Sequence, residues 1–343
     1  MRYRRLGRSG LIVSELCLGT NTFGGGDKEM WRWLGGLDQA GSEAVMSRAF
    51  EAGINFIDTA DGYAAGESES RIGAGLKNLG VDRGDVVIAT KFGMPMGAGP
   101  NRMGASRGHI VRALDASLKR LQTDYVDLYL VHFFDPATPL EETLRTLDQQ
   151  VRAGKVRHIG CSNFAAWQVM KALDISAAEG LERFEVIEAQ WSAATRGLER
   201  ETVPMALDQG VGIMVWGPLV GGLLSGKYTR EGGGAGEGRT GGAVPPVLDR
   251  DRVFDVVDAL RTVAGRHDAT VSQAALAWVL RQPAATSVLF GARNPEQVAD
   301  NVKATELALT EEDLALINAA AEPVLDYGVW TMRGSPSARL AYL

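Results

Sequence analysis

The feature that most constrains this chain is an unbroken alternation of short apolar runs with longer helical patterns. It starts at Leu16 and persists to Ala320. The runs are Leu16 to Gly19, Ile54 to Ile57, Val86 to Thr90, Tyr125 to Val131, Val156 to Gly160, Phe184 to Ala189, Val211 to Val215 and Ala285 to Phe290. They are rich in Val, Ile and Leu and are bounded by turn residues, which marks strands buried on both faces. Helical patterns fill the gaps: from an N-cap at Ser42 with Ala44, Val45, Ala49 and Phe50 on one face, then Glu67 to Lys77, Ser106 to Leu121 and Pro139 to Ala153 before a stop at Gly154. Further helices are expected over Ala165 to Glu179, Leu198 to Gln209, Asp251 to His267, Ser272 to Gln282 and Asn294 to Ala304, with Thr310 capping a last one. Strands that alternate with helices form a parallel sheet with right-handed crossovers, and eight such units close naturally on themselves. The expected fold is α/β: a (β/α)8 TIM barrel with an N-terminal hairpin, Tyr3 to Val13, and long loops at the C-terminal face.

An open doubly wound sheet is the rival. It would place a glycine-rich phosphate fingerprint on the first strand-to-helix turn. That turn follows Gly19 and lacks the spacing. Gly236 to Gly241 does fit G-x-G-x-x-G, but deep in a glycine-rich loop that runs from Gly217 to about Pro246. Gly221 to Tyr228 approaches a triphosphate loop, yet Tyr228 stands where a magnesium-binding Ser or Thr is required. Such a loop still suits a diphosphate held without metal, with Lys227 supplying charge. The barrel is therefore preferred, as a single domain over residues 1–343, with the tail 320–343 placed near the substrate pocket.

Composition excludes several functions. Net charge is −6, with no run of Lys and Arg, so neither nucleic acid nor an anionic membrane is an expected partner. No apolar stretch approaches a bilayer span, and no signal-peptide core follows the basic start. Cys17 and Cys161 are isolated, and the histidines lie in separate segments without metal-ligand spacing. A cytoplasmic, metal-free protein is expected.

In such barrels the chemistry sits where the strands end. Those ends read Asp58, Lys91, His132, Ser162-Asn163, Gln190, Trp216 and Arg293, and Tyr63 follows Asp58 in the next loop. Singly, each has an ordinary structural role as turn cap, strand end or packing. Jointly, an acid, a lysine, a histidine and a phenol at one mouth point to proton transfer. Asp58 would keep a buried Lys91 charged, Lys91 would lower the Tyr63 pKa, and Tyr63 would act as general acid. His132 would orient a carbonyl. No side chain is an obvious nucleophile, so the attacking species is expected to be a cofactor hydride. Ser162, Asn163 and Gln190 could hold a carboxamide, Trp216 could face a nicotinamide ring, and Arg293 could meet a 2′-phosphate.

These residues lie in segments that resemble the aldo-keto reductases, in particular the branch of bacterial general-purpose and aryl-alcohol reductases. The matching segments are Gly53-Ile54-Asn55-Phe56-Ile57-Asp58-Thr59-Ala60 with Tyr63, Ala89-Thr90-Lys91, Tyr129-Leu130-Val131-His132, Gly154 to Asn163, Trp216 to Leu219, Gly226-Lys227-Tyr228 and Gly291 to Gln297. The resemblance implies an NADPH-dependent barrel enzyme of the CH-OH/carbonyl class, transferring the 4-pro-R hydride with cofactor bound first. By resemblance Thr20 and Asn21 lie by the nicotinamide ribose, and Trp216, Gly217, Pro218, Leu219, Gly222, Gly226 and Lys227 line the ring and diphosphate. Gly291 would also line the cofactor, Arg293 would meet the 2′-phosphate, and Gln297 and Asn301 would contact the adenine. The same branch resembles the potassium-channel β-subunits, which makes an NADPH-binding redox sensor the alternative; His132 argues against it. Trp31, Trp33, Phe92, Met94, Phe133, Phe134 and Trp330 are candidate pocket residues for an aromatic or bulky, alicyclic aldehyde or ketone. Substrate identity, physiological direction, NADPH strictness and homo-oligomer formation stay open in the sequence.

Overall fold

A computed structural model describes residues 1–26, 36–230 and 248–322. Two strands, β1 (Tyr3–Arg5) and β2 (Ile12–Ser14), pair antiparallel as a hairpin. Eight strands then form a closed parallel barrel: β3 (Leu16–Gly19), β4 (Phe56–Asp58), β5 (Val87–Phe92), β6 (Val126–Val131), β7 (Val156–Ser162), β8 (Phe184–Gln190), β9 (Gly212–Trp216) and β10 (Ala285–Phe290). They follow chain order around the ring, and β10 closes it against β3. The alternation in the sequence is thus a barrel, with the hairpin where it was expected.

The helices are α1 (Gln39–Glu51), α2 (Glu67–Asn78), α3 (Arg107–Leu121), α4 (Leu140–Arg152), α5 (Ala166–Glu179), α6 (Thr202–Gln209), α7 (Arg250–Arg266), α8 (Val271–Leu280), α9 (Pro295–Val302) and α10 (Glu311–Ala320). Two boundaries depart from the sequence reading. The N-cap of α1 is Asp38, whose carboxylate accepts from the Gly41 amide, and Ser42 is a buried residue inside the helix that donates to the Asp38 carbonyl. A carboxylate is an equally good cap, and it lies four residues upstream. The segment expected as one helix from Leu198 is a 3-10 turn, Gly197–Glu199, followed by the shorter α6. Thr310 caps α10 as expected, in a capping box with Asp313.

Side chains alternate between two cores, because successive strand residues face opposite sides. One set packs outward under the helices and includes Ile57, Ile88, Phe92, Tyr129, Val131, Ile187 and Val215. The other fills the barrel lumen: Cys17, Phe56, Val87, Ala89, Leu128, Leu130, Val186, Met214 and Leu289. Gly160 faces this lumen, where a Cβ would lie 2.5 Å from the Val186 carbonyl and 2.8 Å from Leu130. Leu6 and Val13 of the hairpin join the same cluster and close the N-terminal end. Gly7 lets the hairpin turn seat there; its φ is +55°, and a Cβ would clash with the Glu185 carbonyl. The same parity that makes the floor apolar puts Asp58, Lys91 and Gln190 at the opposite end.

Candidate active site

Lys91 is the centre of the site. It is fully buried on β5, and its Nζ lies 2.6 and 2.7 Å from the two carboxylate oxygens of Asp58. It also donates to the Thr59 carbonyl at 3.1 Å and the Tyr63 hydroxyl at 3.3 Å. Strand register brings these groups together: β4 and β5 pair Asp58 with Ala89, one lumen step below Lys91. Tyr63 reaches back from a 3-10 turn, Tyr63–Gly66, in which Ala64 and Ala65 adopt φ of 50° and 56°. Left-handed alanines cost about 1–2 kcal/mol each. Asn163 and Val220 are also left-handed, so four of the six left-handed non-glycine residues described follow barrel strands at this end; Gln122 and Asp268 lie after helices elsewhere.

The sequence reading missed one member. Glu188 on β8 is buried, with its Oε2 3.2 Å from Lys91 Nζ. An acid at lumen parity, two residues before Gln190, was the available signal; Glu185 in the same run obscured it. The Tyr63 acidity also differs from expectation. Burial raises its pKa well above the ordinary phenol value, Lys91 pulls it down only in part, and the Asp58 charge raises it further, as does Glu188 when ionised. Tyr63 therefore holds its proton throughout the neutral range. Lys91 stays charged, because the attraction of Asp58 and Glu188 outweighs its burial.

His132 follows β6, and its ring meets Tyr63 edge-on with centroids 5.9 Å apart. Burial, and then the Lys91 charge, push its pKa down to about 3. It is a neutral imidazole at physiological pH, able to donate one hydrogen bond. Asn163 Nδ2 donates to the His132 carbonyl and to Ser162 Oγ, while Trp216 Nε1 donates to Asn163 Oδ1 at 3.1 Å. Gln190 and Trp216 pair directly across β8 and β9. Thr20 lies under the site, fully buried, with its hydroxyl donating to the Asp58 carbonyl. Asn21 Oδ1 lies beside Gly291.

Gly217, Pro218 and Leu219 continue from β9 into a 3-10 segment, Val220–Ser225. Gly217, Gly221, Gly222 and Gly226 all have positive φ. The exposed Lys227 returns over this turn, its Nζ 3.5 Å from a Cβ built on Gly222. Arg293 precedes α9, and its amide donates to the Gln297 side chain; Asn301 is buried in the last turn. Among the described residues no cluster of His, Cys, Asp and Glu could hold a metal ion.

The expected pocket residues divide. Phe133 is half-exposed and stacks on His132 at 4.6 Å. Met94 covers the Tyr63 turn, with its side chain where a Cβ on Gly62 would fall. Phe92 is no pocket residue: it alternates with Lys91, faces the helical layer and packs on Tyr129 at 4.7 Å. Phe134 packs against Phe164 and Trp167 beside α5. Trp31, Trp33, Trp330 and the Gly236 to Gly241 motif lie outside the described residues.

Asp61, two residues before Tyr63, is fully buried with neither carboxylate oxygen hydrogen-bonded. Burial and the nearby Glu69 push its pKa up to about 7. A raised carboxyl pKa means the native state binds more protons than the unfolded chain, so stability falls as pH rises from about 4 to 7. Asp61→Asn is expected to be stabilising at pH 8, by on the order of 3 kcal/mol, and much less at pH 4. Urea denaturation at the two pH values tests this; a pH-independent difference would refute it.

A parallel barrel holds a lysine and two acids buried at its C-terminal mouth, with a half-buried tyrosine on the lysine beneath a neutral histidine, an arrangement suited to proton transfer on a (β/α)8 scaffold. The sequence profile of the Aldo/keto reductase family matches residues 15–322. The chain belongs to that family, whose members are oxidoreductases using a nicotinamide cofactor. It is 38% identical to the uncharacterized oxidoreductase YrpG of Bacillus subtilis, over 93% of this chain and 95% of that protein. It is 36% identical to a putative voltage-gated potassium channel subunit beta of Schizosaccharomyces pombe, over 92% of both chains. It is 34% identical to the NADH-specific methylglyoxal reductase of Escherichia coli, over 92% of this chain and 97% of that protein.

Proposed function

We propose that this chain is an NADPH-dependent carbonyl reductase that interconverts an aldehyde or ketone with its alcohol, with Tyr63 as general acid. The observation that carries the reading is the buried Asp58–Lys91–Tyr63 contact, at 2.6 to 3.3 Å, beneath His132. The residues fit a nicotinamide dinucleotide. Left-handed glycines at 217, 221, 222 and 226 bring backbone close to Lys227, which suits a diphosphate. Ser162, Asn163 and Gln190 offer amide and hydroxyl groups for a carboxamide, and Trp216 a flat face beside them. When bound, the cofactor supplies the hydride. His132 and Tyr63 donate hydrogen bonds to the substrate oxygen and fix its orientation. Tyr63 gives its proton as negative charge develops on that oxygen, and Lys91 stabilises the phenolate left behind. Asp58 keeps Lys91 charged and in place. Exposed Phe133 and half-buried Met94 at the mouth favour an aromatic or bulky carbonyl.

Arg293 supports NADPH, since a guanidinium meets a 2′-phosphate with charge-assisted hydrogen bonds. The test is loss of nicotinamide absorbance with NADPH and a panel of aldehydes and ketones. In the same assay Arg293→Ala is expected to weaken NADPH about 10- to 100-fold, the equivalent of ~1.5–3 kcal/mol, and to leave NADH nearly unchanged. Equal weakening of both coenzymes would refute the 2′-phosphate assignment. The second reading, an NADPH-binding sensor, is favoured by the likeness to the channel subunit. Tight NADPH binding without turnover of any carbonyl would select it.

A further inference from the structure

Glu188 shares the lumen side of β8 with Gln190 and is 3% exposed. Its partners across the ladder are Ser162 on β7 and Met214 on β9, neither ionised near neutral pH. The ionisable groups that bear on it are Asp58 from β4, Lys91 from β5, Tyr63 from the turn after β4 and Cys17 from β3. His132, after β6, feels Lys91 in turn. Strands β9 and β10 carry no ionisable side chain.

Hydrogen-bond capacity separates the two carboxyl groups. An ammonium has three N–H donors. Those of Lys91 go to Asp58, to the Thr59 carbonyl and to Tyr63. Glu188 Oε2, although 3.2 Å away, is left without a hydrogen bond. With both carboxylates ionised, the cluster would also hold one uncompensated negative charge out of water, an expensive state. A proton on Glu188 removes both defects: the group gains a donor and the cluster becomes neutral. Burial raises the Asp58 pKa too, but its two short contacts to Lys91 oppose the shift, so Asp58 is the carboxyl that ionises first.

We propose that Glu188 is a positioning residue for carbonyl reduction: it keeps a proton beside Lys91 at neutral pH, and loss of that proton turns Tyr63 into a weaker acid. The proposal rests on the reductase reading for its consequence and on the lumen geometry for the proton. Burial, followed by the Asp58 charge, pushes the Glu188 pKa up to about 8. Ionised Glu188 adds negative charge beside Tyr63, which then holds its proton more tightly. Reduction is therefore fastest below about pH 8 and slows as pH rises through that value.

Two measurements test it. The first is the kcat/KM profile for carbonyl reduction between about pH 6 and pH 10. The wild type is expected to show an alkaline limb near pH 8. Glu188→Gln is expected to move that limb up by at least about one pH unit, because its side chain cannot ionise. Glu188→Asp, which keeps a carboxyl on the same strand, is expected to retain a limb; a merely structural role would not follow ionisability in this way. The second is infrared titration of the cofactor-free protein. It should show a buried carboxylic-acid C=O band that disappears through the same pH range and is missing in Glu188→Gln. A limb unmoved in Glu188→Gln, or a band absent from the wild type, would overturn the proposal. If the wild type reduces no carbonyl, the reductase reading fails, and the infrared titration alone decides whether Glu188 holds the proton.

Discussion

Replacing Tyr63 by phenylalanine is expected to lower kcat for carbonyl reduction by ~10²–10⁴-fold, the usual contribution of a positioned general acid. Cofactor affinity should persist, because the ring is unchanged. Its edge contact with His132 remains available to phenylalanine, as does the Lys91 cation over its face at 5.0 Å. The substitution removes one acceptor from Lys91, which Asp58 and Thr59 still hold. Stopped-flow reduction, with cofactor binding followed by fluorescence, separates the two effects. Intact turnover in the Tyr63→Phe variant would show that another group delivers the proton.

Lys91→Met should have the largest effect on stability. Lys91 is fully buried and is the cation that Asp58 and Glu188 share. Methionine fills similar space but leaves two acids side by side out of water. Breaking a buried pair in this way costs ~3–5 kcal/mol. Adding Asp58→Asn to the variant removes the stranded Asp58 charge and should recover part of the loss. Urea denaturation of the wild type, the single variant and the double variant reads this directly. A loss below about 1 kcal/mol, as for an exposed pair, would mean that the lumen charges are better solvated than their burial implies.

The architecture was legible because buried parallel strands must be apolar on both faces, and helices must return the chain between them. Asp58, Lys91 and His132 were legible because polar residues that end apolar runs interrupt that pattern visibly. Glu188 does not end its run, so its role depends on lumen parity, which one strand cannot reveal without its neighbours. Phe92 failed for the complementary reason: it adjoins Lys91 in sequence and faces away from it in space. The Tyr63 acidity also depends on burial. A lysine hydrogen-bonded to a phenol lowers its pKa, but the desolvation that accompanies a closed barrel outweighs it. Nothing in the sequence around Asp61 signals that packing leaves its oxygens without donors.

The hairpin that seats Leu6 and Val13 against the lumen gives the barrel a floor. Packed side chains fill the barrel from that floor upward, so the buried Lys91 and Asp58 are open to approach only from the opposite end.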